Sequence, residues 1–112
     1  MKLAFDEIGQ ICVTLECDSG ASGKLCKMSA DGKAGVCAAG DKFCGLVSSV
    51  RGGYGAVVIR GFVTVPYTGA APSVGFAGLS ANGAGGVKAD STGNSYLIVA
   101  RDTAANTVTF FM

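Results

Sequence analysis

Five cysteines, at positions 12, 17, 26, 37 and 44, and eight carboxylates are the side chains of this 112-residue chain that could do chemistry. There is no histidine, which removes the commonest general base and the commonest metal ligand at neutral pH. A nucleophilic cysteine needs a nearby histidine or a cationic, helix-N-terminal setting to lower its pKa, and neither is visible in the sequence. Their spacing contains no C-x-x-C pair, whereas structural zinc sites usually show close ligand pairs. An odd count fits a disulfide framework poorly. The cysteines read as free thiols acting as small hydrophobes in a reducing compartment.

The carboxylates are Asp6, Glu7, Glu16, Asp18, Asp31, Asp41, Asp90 and Asp102. Asp31 and Asp41 flank glycines in turns, and Asp18 lies in a Ser/Gly loop, positions that suit aspartate structurally. No local spacing pairs two carboxylates for acid–base work. The glycine-rich runs at 51–55 (RGGYG) and 83–86 (GAGG) lack the Walker pattern that cradles phosphate, and read as hairpin turns. Lysines and arginines are scattered, with no basic stripe to neutralise phosphates. The chain therefore reads as a non-enzyme, with no catalytic residue, cofactor site, metal site or nucleic-acid partner.

What remains is architecture. Residues 29–39 (SADGKAGVCAA) are echoed 51 positions later by residues 80–90 (SANGAGGVKAD), and G-D-K-F at 40–43 by G-N-S-Y at 93–96. Each phrase centres on Asp-Gly or Asn-Gly, a strong hairpin signal. Hydrophobic residues make up 49% of the chain and charged ones 15%, which argues against disorder and leaves much neutral surface for a partner to cover. No apolar run reaches the roughly 18 residues of a membrane span. Asp6 and Glu7 interrupt what begins like a signal peptide, so synthesis and folding in the cytoplasm are expected.

Short apolar runs bounded by Gly, Asp, Asn and Ser predict strands at 10–16, 24–28, 35–38, 43–50, 55–66, 86–89, 96–101 and 107–112. In the longest, Val57, Ile59, Gly61, Val63 and Val65 share the expected core face, opposite Val58, Arg60, Phe62 and Thr64. Gly61 marks a bulge or sharp bend, and Pro66 marks the strand's end or an edge position. The predicted fold is all-β, a small β-barrel or two-sheet sandwich with two similar Asx-Gly hairpins. An extended N-terminal arm over 1–10 precedes a single β domain over 11–112. Residues 66–73 (PYTGAAPS) carry both prolines and an aromatic. They read either as an exposed functional loop, presenting Tyr67 and Pro72, or as a rigid crossover.

The succession G-D-K-F-C-G-L-V at 40–47, A-V-V-I-R-G-F-V-T-V-P-Y at 56–67, G-N-S-Y-L-I-V at 93–99 and the closing T-V-T-F-F-M resembles the small head-decoration (capsid cement) proteins of tailed bacteriophages. The resemblance implies a structural virion protein that binds the outer capsid surface and bridges major capsid subunits, often as a homotrimer. It also implies that the arm reaches onto the capsid, with Phe5 as anchor and Asp6 and Glu7 pairing with basic capsid residues. The alternatives are another phage structural component (tail tube, neck or fibre base) and a carbohydrate- or peptide-binding β-module.

Overall fold

The computed structural model describes residues 10–112. Among them are ten strands: β1 (Ile11–Glu16), β2 (Leu25–Ala30), β3 (Lys33–Val36), β4 (Gly45–Arg51), β5 (Tyr54–Arg60), β6 (Phe62–Thr68), β7 (Gly75–Ala81), β8 (Val87–Ala89), β9 (Asn94–Asp102) and β10 (Thr107–Phe111). One 3-10 turn, Ser19–Ala21, interrupts the β1–β2 connection. The all-β expectation holds, and the strands close into two five-stranded barrels, ordered β1-β3-β2-β4-β5 and β10-β6-β8-β7-β9.

The two barrels share one pairing scheme. In each, the first strand runs parallel to the third (β1 with β3, β6 with β8), and every other pair is antiparallel. The fourth strand of each skips one residue against the fifth: Ser48 in β4 and Val99 in β9 lie at these bulges. The repeated phrase is thus the visible part of a duplicated five-stranded unit, with one Asx-Gly hairpin in each barrel. Closure is made by short parallel pairings, one residue pair between β1 and β3 and two between β6 and β8, which shorten the sheet edges open to other chains.

The similar phrases nevertheless make different turns. Ala30 pairs with Lys33, so Asp31-Gly32 is a two-residue hairpin. Ala81 pairs with Val87, so 82–86 is a wider loop. The Asn82 side-chain oxygen holds that loop, accepting the N–H of Ala84 at 2.7 Å and of Gly86 at 3.1 Å. The extra length is used between barrels, where the Gly85 carbonyl accepts the Leu25 N–H at 3.1 Å.

The predicted strand over 55–66 is two strands in two barrels. Gly61, with φ +121°, makes the step between β5 and β6 in a conformation that L side chains rarely adopt. Val57, Val63 and Val65 are buried as expected; Val58, expected on the outer face, is also buried because that face turns toward the second barrel. The chain does not stop at Pro66. There β6 changes partner, from β10 up to Pro66 to β8 from Tyr67 onward, so a residue without an N–H is tolerated. The unpredicted β7 (GFAGLSA) is glycine-rich and lacks the β-branched signature.

The barrels have unlike interiors. The first is filled by Cys17, Ala21, Cys26, Ala34, Val47 and Val57. The second holds Val63, Val65, Tyr67, Leu79, Val87, Ile98, Val108 and Phe110, and its cluster continues into Leu25, Cys37, Phe43 and Val58 of the first-barrel half. Phe43 stacks on Tyr96 with ring centroids 5.0 Å apart and packs against Phe110 at 5.8 Å. These contacts fall in the range where aromatic pairs add stability beyond area burial.

Candidate interaction surface

Cross-strand partners on one face of a sheet form rows, and one row differs sharply between the barrels. In the first barrel the register Cys12–Val58–Leu46–Leu25 crosses β1, β5, β4 and β2, two residues before the β4 bulge at Ser48. In the second, Phe62–Phe111–Leu97–Phe76 crosses β6, β10, β9 and β7 at the matching place before the β9 bulge. Val58 and Leu25 are 3% and 0% exposed and belong, with half-buried Leu46, to the core cluster shared by the barrels. Their counterparts Phe111 and Phe76 are 39% and 78% exposed, and Leu97 is 36% exposed.

Phe111, Leu97 and Phe76 of this row line an open groove of about 510 Å³, together with Arg60, Asn94, Ser95, Tyr96 and Met112. Phe62 and Phe111 meet edge-on at 5.2 Å, which fixes one end of the row. Exposed Val74 immediately precedes β7, the strand that carries Phe76. An apolar row spanning four strands is the kind of contiguous patch that marks a protein contact. Arg60 supplies its positive edge.

The residues predicted from sequence lie elsewhere. Phe5, Asp6 and Glu7 fall in 1–9, outside the described residues. Gln10, the last residue of the expected arm, is exposed and donates its side-chain N–H to the Phe62 carbonyl at 2.9 Å. The chain therefore enters the described fold at the β6 end of the row. Tyr67 and Pro72 require correction as exposed contacts. Tyr67 points into the second barrel and is buried. Pro72 is also buried, and its carbonyl accepts a bond from Arg101 Nη1 at 2.9 Å. The 69–74 connection thus packs against the second barrel instead of presenting its proline. Phe76 went unnoticed because it sits in the strand the sequence did not announce.

Three carboxylates, those of Asp41, Asp90 and Asp102, are held by turns and close neighbours. Asp41 accepts the Ala38 N–H at 2.8 Å and Lys27 Nζ at 2.6 Å. The Lys27 bond, then the Ala38 bond, hold its carboxyl below the usual range, and Asp41 in turn raises the Lys27 pKa. Asp90 accepts the Thr92 hydroxyl at 2.6 Å, the Thr92 N–H at 2.9 Å and the buried Ser80 hydroxyl at 2.8 Å, which lower its pKa to about 2. Asp102 accepts the N–H groups of Ala104 and Ala105.

All five cysteines are free thiols; Cys17, Cys26 and Cys37 are buried, Cys12 and Cys44 exposed. The described residues contain no group of three or more metal-ligating side chains placed to hold an ion and no helix long and apolar enough to cross a membrane. Compared with known proteins, the chain matches no family model, no curated protein and no solved structure.

Proposed function

We propose that this chain is a structural virion protein that self-associates through the open apolar row of its second barrel and, as an oligomer, decorates the outer capsid surface. The observation that carries the reading is the mismatch between the two rows. Val58, Leu46 and Leu25 of the first barrel's row are covered in the core shared with the second barrel, leaving only Cys12 at its end exposed, while the matching residues Phe111, Leu97 and Phe76 face solvent. A surface whose counterpart is buried by a like module fits a like module from another copy. Such a contact joins unlike patches, and closes into a ring when the rotation per copy allows it. A trimer of two-barrel chains is the ring that the family resemblance suggests.

Closed barrels suit the role. They leave little sheet edge to pair wrongly, and they form a rigid body whose weak capsid contacts add through multivalency. The low charge of the chain and its apolar row favour association over a solitary existence. The major capsid protein is the proposed partner, met by many copies at once, with the segment before Gln10 contributing.

The test is co-sedimentation with expanded capsids of the phage that carries this chain. The reading predicts saturable binding with a fixed ratio of chain to capsid subunit. Absence of binding at chain concentrations where the oligomer is fully formed would refute the capsid role and leave the oligomer to be judged separately.

A further inference from the structure

We infer that Cys26 and Cys44 form a thiol-modification site, in which exposed Cys44 reacts with low-molecular-weight disulfides and buried Cys26 resolves the adduct into a Cys26–Cys44 bond. The inference is independent of the proposed function. Cys26 pairs with Gly45 across β2 and β4, and the Cys44 N–H donates to the Cys26 carbonyl at 2.8 Å. That bond keeps the two Cα atoms at most about 6.7 Å apart, inside the span a disulfide bridges. Each of the two side chains is the largest influence on the other's titration.

The pair is unequal in the way such chemistry requires. Cys44 is exposed and Cys26 is fully buried, so a small disulfide reaches Cys44 first. The Cys26 thiol, then the backbone N–H of Cys44 itself and that of Met28, bring Cys44 down to about 7 against the opposing effect of burial. The Cys44 side chain is in turn the largest cause of the raised Cys26 pKa, with burial next. Cys37, the nearby third thiol, is raised to about 11 by its burial and by the Asp41 charge. A thiolate is the attacking species, so Cys44 leads.

In the first step the Cys44 thiolate attacks R–S–S–R. A Cys44–S–R bond forms, the original disulfide breaks, and RS⁻ leaves to take up the proton Cys44 released. Capping Cys44 removes the negative charge that had held the proton on Cys26. The Cys26 thiolate then attacks the Cys44 sulfur, the Cys44–S–R bond breaks, and a second RSH departs. Two protein thiols are oxidised by two electrons, and one R–S–S–R is reduced to two R–SH.

The bond would act on the join between the barrels. Residues 37–44 carry Phe43 into the shared core, and Gly40 and Asp41 exchange backbone bonds with Ala81 of β7 at 2.8 and 3.0 Å. Oxidation would fasten that segment to β2.

The reduced full-length chain should be equilibrated in oxidised and reduced glutathione at graded ratios, alkylated, and mapped by mass spectrometry. Apart from the added alkyl groups, the expected product is about 2 Da lighter than the reduced chain and carries one Cys26–Cys44 crosslink, with Cys12, Cys17 and Cys37 alkylated. Cys44→Ser abolishes the crosslink, and Cys26→Ala accumulates glutathione on Cys44. Should Cys26→Ala not fold, early quenches of the unsubstituted chain must show glutathione on Cys44 before the crosslink appears. No crosslink at the oxidised end, a crosslink using another cysteine, or a first adduct on Cys26 would overturn the inference.

Discussion

Leu25 and Phe76 hold the same place in two barrels of one topology; one lies under the neighbouring barrel and the other is open to solvent. The interiors differ as well. The first is packed with Cys, Ala and Val, while the second is packed with Val, Leu, Ile and Phe and reaches into its neighbour. A duplicated unit need not be duplicated in role. One barrel contributes its outer row to the join and carries all five cysteines in its half; the other supplies the large side chains of the shared core and keeps a row open. This division also gives the crowding of cysteines into the first 44 residues a partial physical reason. A tight first barrel uses Cys17 and Cys26 as small core residues.

The sharpest way to break this comparison is to truncate matching inward residues. Phe110 and Val57 sit at equivalent register positions, opposite Ile98 and Val47, and both are fully buried. Phe110→Ala should cost about 3–5 kcal/mol, because the ring packs against both Phe43 and Tyr96. Val57→Ala should cost about 2 kcal/mol. Urea unfolding with an unchanged slope measures both, and equal losses would mean the second barrel does not hold the shared core.

A smaller effect is expected at the step between barrels. Gly61→Ala forces a side chain into φ +121°, at a cost of about 1–3 kcal/mol. The same substitution at Gly20, which has no atom within 4 Å of an added Cβ and carries no positive φ, should be close to neutral. Thermal unfolding of the two variants separates the hinge from an ordinary loop.

Much of this was legible in the sequence. The Asx-Gly phrases marked both hairpins, and the runs of Val, Ile and Thr marked most strands. The change of barrel at Gly61 was visible only as a bend, because alternation continues across it and inward-facing residues look alike in either barrel. Which face of Val58 would be covered depends on the neighbouring barrel, which no local pattern encodes. Tyr67 and Pro72 looked like loop residues because proline and glycine punctuate 66–73, yet β6 runs past Pro66 by switching partners. The open row was invisible for a related reason: Phe76, Leu97 and Phe111 are far apart in sequence and meet only through register.

A gentler contrast concerns the carboxylates. The carboxyls of Asp41 and Asp90 are held below their usual range in the fold. A depressed carboxyl stabilises the fold above its unfolded pKa of about 3.9 and loses that contribution as pH falls through the folded value. The melting temperature should therefore decline as pH drops from about 4 toward 2. Asp90→Asn should flatten that decline, because its folded carboxyl titrates near 2. An acid limb unchanged by both Asp90→Asn and Asp41→Asn would show that neither turn is coupled to folding.

The open row itself should matter little to the isolated fold, since substitutions at exposed positions usually change stability by less than about 0.5 kcal/mol. Its proposed role is in association. Sedimentation velocity of the unsubstituted chain beside Phe76→Asp/Leu97→Asp, with melting temperatures and circular dichroism recorded for both, is the most direct test. The account predicts a concentration-dependent trimer for the first and a folded monomer for the second. A monomer at all concentrations for the unsubstituted chain, or an oligomer indifferent to the two substitutions, would contradict it.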